Sequence, residues 1–316
     1  MKIGIISLEG RSSKEIAKSC KKYFDKVDAL NLKEFEVHLT GEGVEVTYQG
    51  KPLGDYDCLY IRGSYRYALL QRAITRLLGR NIYMPISKLG FALGHDKFLT
   101  LVELQKSKIP IPKTYYAATT ELAKLLLSKK ISYPVIMKVP RGTHGKGVMI
   151  ADSEKSAKSI LDLLEHFNEP YIIQEFIFTE NTTDVRAVVA GGRVIAAYER
   201  KATKGEARAN IHLGGERRTH KITKEEEKLA IGAARAIGAD ICGVDILNAK
   251  KPAVIEVNLS PSIAKLEKVT GVDVSDEIAK FLYEQTLRFH KKKESRKNGR
   301  YRKKAKKIID NILNRF

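Results

Sequence analysis

GVDIL at 243–247 and VIEVNLSPS at 254–262 are the stretches from which the fold is read. Each belongs to an apolar run of strand character, 239–247 and 253–257. Side chains alternate across an extended strand, so Glu256 and Asn258, two apart, point to the same side. With Asp245 facing them from the neighbouring strand, three oxygen donors converge. Such a set suits Mg²⁺ or Mn²⁺, which take oxygen ligands and usually keep phosphates and waters in the other positions. The competing reading is a group of strand-end polar residues beside a turn.

Working outward, the chain alternates helices and strands, the pattern of an α/β protein. In the first 90 residues, strands are expected at 2–8, 27–32 and 58–61 and helices at 12–24, opened by a serine cap, and 65–78. A hairpin is expected over 35–49, around Gly41-Glu42-Gly43. The turn EGRSS after the first strand lacks the full dinucleotide fingerprint and reads as a plain strand–helix turn. Further on, helices are expected at 95–108, 153–167 and 223–237, the last with a Thr223–Glu226 capping box. Strands are expected at 133–139, 147–151 and 171–177, and a hairpin joins 184–190 to 193–200 across Gly191-Gly192. A long polar segment, 201–219, has the character of a functional loop. Helices at 263–269 and 274–288 follow the two opening strands.

Length and composition narrow the class. A chain of 316 residues with 43% hydrophobic content is globular and long enough for two or three domains. No apolar run reaches the roughly 20 residues a membrane helix needs. The start, MKIGIISLEGRSS, reads as a first buried strand and not as a signal peptide. Cys20, Cys58 and Cys242 form no CxxC pair and fit buried thiols of a reducing cytoplasm. Charge is uneven: 13 Lys/Arg stand against Glu294 and Asp310 in residues 288–316, which therefore hold +11 of the net +20.

The order of motifs then resembles one family. Lys97 on a helix, Lys138 before RGTHGKG, the segment QEFI, the pair DVR, the stretch ERKATKGEARANIHLGG, GVDIL and EVNLSPS resemble an ATP-grasp ligase of the RimK type. That group comprises ATP-dependent glutamate ligases of a ribosomal protein, with relatives in lysine and coenzyme biosynthesis. The resemblance runs from about residue 90 to 287. It implies an α/β fold of the α+β sandwich kind. An N-terminal pre-ATP-grasp domain would occupy 1–90, a small lid subdomain 91–170, a C-terminal metal- and ATP-binding subdomain 171–287, and a basic tail 288–316. No Walker A sequence competes for the nucleotide.

The resemblance also implies roles. Lys97 and Lys138 would bind phosphates as point charges. Gly142, Thr143, Gly145 and Gly147 would form a flap whose backbone N–H groups close over phosphate oxygens. Gln174, Glu175, Phe176 and Ile177 would supply the segment that reads the adenine edge, with Asp184 also at the ATP site. Asp245, Glu256 and Asn258 would hold Mg²⁺ or Mn²⁺, two ions, between the β- and γ-phosphates. Arg186, Arg200, Arg208 and Asn210 would grip a substrate carboxylate and its charged intermediate. One departure is the sequence after Asn258, Leu259-Ser260-Pro261-Ser262, where the family has Ala-Ser-Pro-Gly.

The expected activity is an acid–amino-acid ligase forming an amide through an acylphosphate, with glutamate added to a ribosomal protein or similar acceptor. Alternative acceptors are a pterin or deazaflavin coenzyme and an amino-group carrier protein. A reading from another class is a non-catalytic basic RNA-binding protein on the same scaffold. In the tail, Tyr301, Ala305, Ile308, Ile309, Ile312, Leu313 and Phe316 recur at helical spacing. An amphipathic helix there would dock on its own body or a second subunit, as in a homo-oligomer, or attract ribosomal RNA or an acidic partner.

Overall fold

The computed structural model describes residues 1–142, 147–179, 183–201 and 216–313, with side chains described to residue 295. Arg208, Asn210, Thr143 and Gly145, all expected at the site, lie outside the described residues.

The first unit contains β1 (Lys2–Ser7), α1 (Arg11–Cys20), β2 (Lys26–Asn31), β3 (Phe35–Thr40), β4 (Gly43–Tyr48), β5 (Lys51–Pro52), β6 (Cys58–Ile61) and α2 (Ala68–Leu78). Strands β2, β1 and β6 form a parallel sheet in that order. Ile3, Ile5, Ile6, Leu59 and Tyr60 are buried there, as expected of strands covered on both faces. The β3–β4 hairpin turns where Gly41-Glu42 predicts. The serine cap expected on α1 is absent: Gly10 precedes the helix and no side chain caps it. The Ser12 hydroxyl is used elsewhere, as described below.

Next come α3 (Lys88–Leu93), α4 (Lys97–Lys106), β7 (Thr114–Tyr115), α5 (Thr120–Lys129), β8 (Val135–Lys138), β9 (Val148–Ala151), α6 (Glu154–His166) and β10 (Ile172–Glu175). The sheet order is β7-β10-β8-β9, all antiparallel. Strand β10, placed by the sequence with the later residues, pairs here because its backbone registers with β8 along its whole length, Ile172↔Lys138 to Glu175↔Val135. This sheet has its own apolar core with α5 and α6, built from Ala123, Leu127, Val135, Met137, Ala157, Leu161 and Ile173.

The largest sheet, β13-β12-β11-β14-β15, is antiparallel. Its strands are β11 (Thr183–Ala190), β12 (Arg193–Lys201), β13 (Glu216–Thr219), β14 (Ile241–Leu247) and β15 (Ala253–Asn258), with α7 (Lys224–Ile237) between β13 and β14. Positive φ at both Gly191 (64°) and Gly192 (79°) gives the β11–β12 hairpin the turn that matches strand twist. A Cβ at Gly191 would lie 2.3 Å from the Phe281 ring, so the turn also needs glycine for packing. Helix α7 starts on the predicted Thr223–Glu226 capping box and ends at Gly238 in the left-handed region. After β15 come α8 (Ile263–Thr270) and α9 (Val274–Leu313), which runs 40 residues and passes position 288 without a break. The large sheet and the first unit share one continuous core. No described helix is long and apolar enough to cross a membrane.

Candidate active site

Register assembles one face of the large sheet. Directly opposite pairs are Asp184–Arg200, Arg186–Asp245 and Asp245–Glu256. Opposite residues of an antiparallel pair share a face, so all five side chains project from the same side. Between Asp245 and Ile246 the pairing shifts, with Ile246 opposite Val254, so Ile255 is the extra residue of a bulge. The bulge lets Glu256 stay opposite Asp245 while the strand bends beside the site.

Two guanidiniums and two carboxylates interlock on that face. Arg186 donates from Nε and Nη2 to the two Asp245 oxygens, at 2.6 and 2.5 Å. Arg200 donates from Nη2 to Asp184 Oδ2 at 2.6 Å and lies 2.9 Å from Asp245 Oδ2. Burial pushes the Asp184 carboxyl above the usual carboxylate range against the pull of Arg200, and the Asp245 charge adds to the rise. Burial acts on Asp245 too, yet the two guanidiniums outweigh it and hold that carboxyl down at about 2. Of the three arginines expected to grip substrate, Arg186 and Arg200 are thus engaged with acids of the chain itself.

The facing wall is the four-stranded sheet. Lys138 ends β8, buried, and donates to Gln174 Oε1 at 2.7 Å, while Gln174 Nε2 donates to Thr114 at 2.8 Å. Burial lowers the Lys138 ammonium to about 8; the Glu256, Asp245 and Asp184 charges oppose the fall and Lys97 adds to it. Lys138 is thus within electrostatic reach of the carboxylate face. Lys97 opens α4 behind its cap Asp96, and its Nζ donates to the Gly142 carbonyl at 2.9 Å. Val139 N–H donates to the Gly147 carbonyl at 3.0 Å, closing the base of the glycine loop. Gly147 has φ of 75°, and a Cβ there would meet Val139 Cγ2 at 2.3 Å. Glu175 accepts from Lys113 N–H at 2.9 Å, and Phe176 packs edge-on against Phe178, so the expected adenine-reading segment spans the last two residues of β10 and the chain just beyond it.

The donors expected to hold a divalent cation differ in availability. Both Asp245 oxygens are occupied by arginines. Glu256 is half-buried and makes no hydrogen bond or ion pair among the described residues, and Asn258 Nδ2 is buried without a partner. Among the described residues no group of three or more His, Cys, Asp or Glu side chains forms a metal cluster. The set is two carboxylates and an amide, each with oxygen to offer, and the unpartnered Glu256 carboxylate beside the Asn258 amide oxygen fits Mg²⁺ or Mn²⁺.

Residues that sequence reasoning missed hold the turn after Asn258. Arg62, buried, donates to the Pro261 carbonyl at 2.7 Å, to Tyr60 OH at 2.9 Å and to Ser13 Oγ at 3.1 Å. Ser12 Oγ accepts from the N–H groups of Ile263 and Ala264, at 2.9 and 3.3 Å, and so caps α8 from a different helix. No local pattern links positions about 200 apart, and the polar type of these residues at a strand end was the only signal.

The sequence profile of the RimK-like ATP-grasp domain matches residues 94–282. The chain is 34% identical over 258 residues to a probable alpha-L-glutamate ligase of Vibrio atlanticus, covering 81% of this chain and 86% of the relative. It is 31% identical over 295 residues to one of Thioalkalivibrio sulfidiphilus, covering 92% and 98%. Among solved structures, the RimK domain protein ATP-grasp from Sphaerobacter thermophilus superposes with a TM-score of 0.67 at 20% identity, over 89% of this chain and 99% of that one. The ATP-grasp ligase PsnB, solved with a phosphomimetic variant of a minimal precursor, Mg and ADP, gives 0.69 at 17% identity, over 90% and 98%. These likenesses show the ATP-grasp fold: two facing sheets with a cleft between them. By profile and by curated relatives together, the chain belongs to the RimK-like ATP-grasp family of ATP-dependent ligases that form carbon–nitrogen bonds.

Proposed function

We propose that this ligase joins L-glutamate to the carboxylate of a peptide or protein acceptor, a ribosomal protein being the first choice. Its curated relatives are probable alpha-L-glutamate ligases, and PsnB was solved with precursor peptide PsnA2. The observation that carries the reading is the unpartnered Glu256 carboxylate beside Asn258, directly opposite Asp245 and within the field of Lys138. In this reading 1–90 is the pre-ATP-grasp domain, 91–170 together with β10 the lid, the residues from there to 287 the metal- and ATP-binding part, and 288–316 a tail that meets RNA on the acceptor assembly.

Lys138 and Lys97 hold the β- and γ-phosphates of ATP as point charges, and the loop closed by Gly147 covers them. Glu256, Asn258 and Asp245 hold Mg²⁺, which when bound neutralises the charge that grows on the phosphates. An acceptor carboxylate oxygen attacks the γ-phosphorus and the bond to ADP breaks. The glutamate nitrogen, as free amine, then attacks the acyl carbon; phosphate leaves and the amine releases a proton. Arg186 and Arg200 present fixed guanidinium dipoles along this path. Their carboxylate partners keep them rigid, so little reorganisation accompanies the charge that develops.

The test is ADP release with glutamate and candidate acceptors in wild type, Glu256→Gln and Asn258→Ala. Loss of at least about 100-fold in both variants is expected, the scale of one electrostatic contact in a transition state. Equal release by wild type and variants would overturn the site.

A further inference from the structure

Arg217 carries a positive charge that the site as described does not use. It lies on β13 directly opposite Arg200, so its side chain shares the face that holds Asp184, Arg186, Asp245 and Glu256. Like charges directly opposite one another destabilise a sheet. Arg200 is committed to Asp184 and Asp245, and Arg217 has no ion pair among the described residues. Its Nε is buried without any hydrogen-bond partner. The adjacent Arg218 is the opposite case, exposed on the other face and paired with Glu216 at 3.1 Å.

An arginine cannot shed its proton, and a buried guanidinium N–H without an acceptor is costly. Position is held from below: Thr219, on the same strand and face, donates to the Val269 carbonyl at 2.9 Å and pins β13 to the end of α8. A half-buried guanidinium with its Nε enclosed and unpartnered, on a strand held in place, is suited to receive an anion.

Sheet order says which anion. Four strand spacings separate β13 from β15, about 19 Å, and three separate it from β14, about 14 Å. The phosphates bound by Lys138 and through the metal at Glu256 and Asn258 lie toward the far edge, so the anion at Arg217 is a different one. Resting on the glutamate-ligase reading, which supplies a dicarboxylate as the second substrate, we infer that Arg217 is a specificity-determining residue that binds the side-chain carboxylate of the incoming amino acid. Its planar fork matches that group two-pronged.

The experiment measures binding of L-glutamate and of uncharged L-glutamine to the full chain with ADP and Mg²⁺, alongside ADP release, in wild type, Arg217→Met and Arg217→Lys. The methionine variant should bind glutamate roughly 10- to 100-fold more weakly and glutamine within about threefold of wild type. The lysine variant should recover part of the loss, and the KM for ATP should stay within about twofold in both. Unchanged glutamate affinity in Arg217→Met, equal losses for glutamate and glutamine, or no glutamate binding by wild type overturns the assignment. A wild type that binds glutamate through Arg217 but never transfers it sustains the assignment and overturns the ligase reading. Turnover of glutamate that Arg217→Met matches overturns the assignment and leaves the ligase reading standing.

Discussion

Lys138 is buried against a carboxamide, with carboxylates across the cleft, and its ammonium is lowered from 10.5 to about 8 chiefly by burial. A phosphate placed against it favours the charged form and raises that value again. Binding of ADP therefore takes up a proton above pH 8, and the affinity falls as pH rises through that value. Titration calorimetry across pH 7–10 is expected to show this decline in wild type. Lys138→Arg, whose charge does not titrate here, should flatten it, and Lys138→Met should bind weakly at every pH. A second residue-scale prediction concerns Arg200, which serves Asp184 and Asp245 together. Arg200→Met strands the buried Asp184 carboxylate and removes one of the two guanidiniums on Asp245, and denaturant unfolding should register a loss of about 3–5 kcal/mol. The double variant Arg200→Met/Asp184→Asn should recover part of it, because the stranded charge is then gone.

Helix α8 begins on a hydroxyl borrowed from α1, since its own Ser262 makes no side-chain cap. Ser12→Ala should lower stability by about 1 kcal/mol in denaturant unfolding, the usual worth of a cap. Asn258 ends β15 just ahead of the turn that this cap and Arg62 hold, so the Mg²⁺ concentration for half-maximal ADP release should rise as well. Both effects arise between elements, where sequence reading is weakest. What the sequence made legible was local: β6 to the residue, the hairpin on Gly191-Gly192, the capping box of α7, and the acids of GVDIL and IEVN on neighbouring strands. Strand β13 escaped because Glu216-Arg217-Arg218-Thr219 has no apolar alternation, and edge pairing alone makes it a strand. Helix α3, six residues long, is too brief to establish a period, and α5 also went unread. The Asp184–Arg200–Asp245–Arg186 network depends on register between strands, and Arg62 reaches Pro261 across 199 positions. Only the folded sheet order could bring those residues together.

Over the whole molecule, α9 separates a packed part from a charged one. Val274, Ile278, Ala279, Phe281, Leu282 and Thr286 are buried against the body, while Lys291, Lys292 and Lys293 are exposed. A helix of 40 residues is about 60 Å long, longer than the packed stretch requires. Residues 296–316 contain nine Lys/Arg and one acid, Asp310, and so hold +8 of the net +20. Among the described residues the buried side chains of α9 end at Thr286, and a chain ending at Ser295 should keep its melting temperature and its ADP release with a small peptide acceptor. Its affinity for single-stranded RNA should lose salt dependence, because each phosphate neutralised adds about −0.7 to the slope of log K against log salt. Eight net charges bound the change at about 6 in that slope. Filter binding between about 50 and 200 mM salt reads it directly. An unchanged slope in the truncated chain would move any RNA contact away from the tail, onto the +12 that stays with the body.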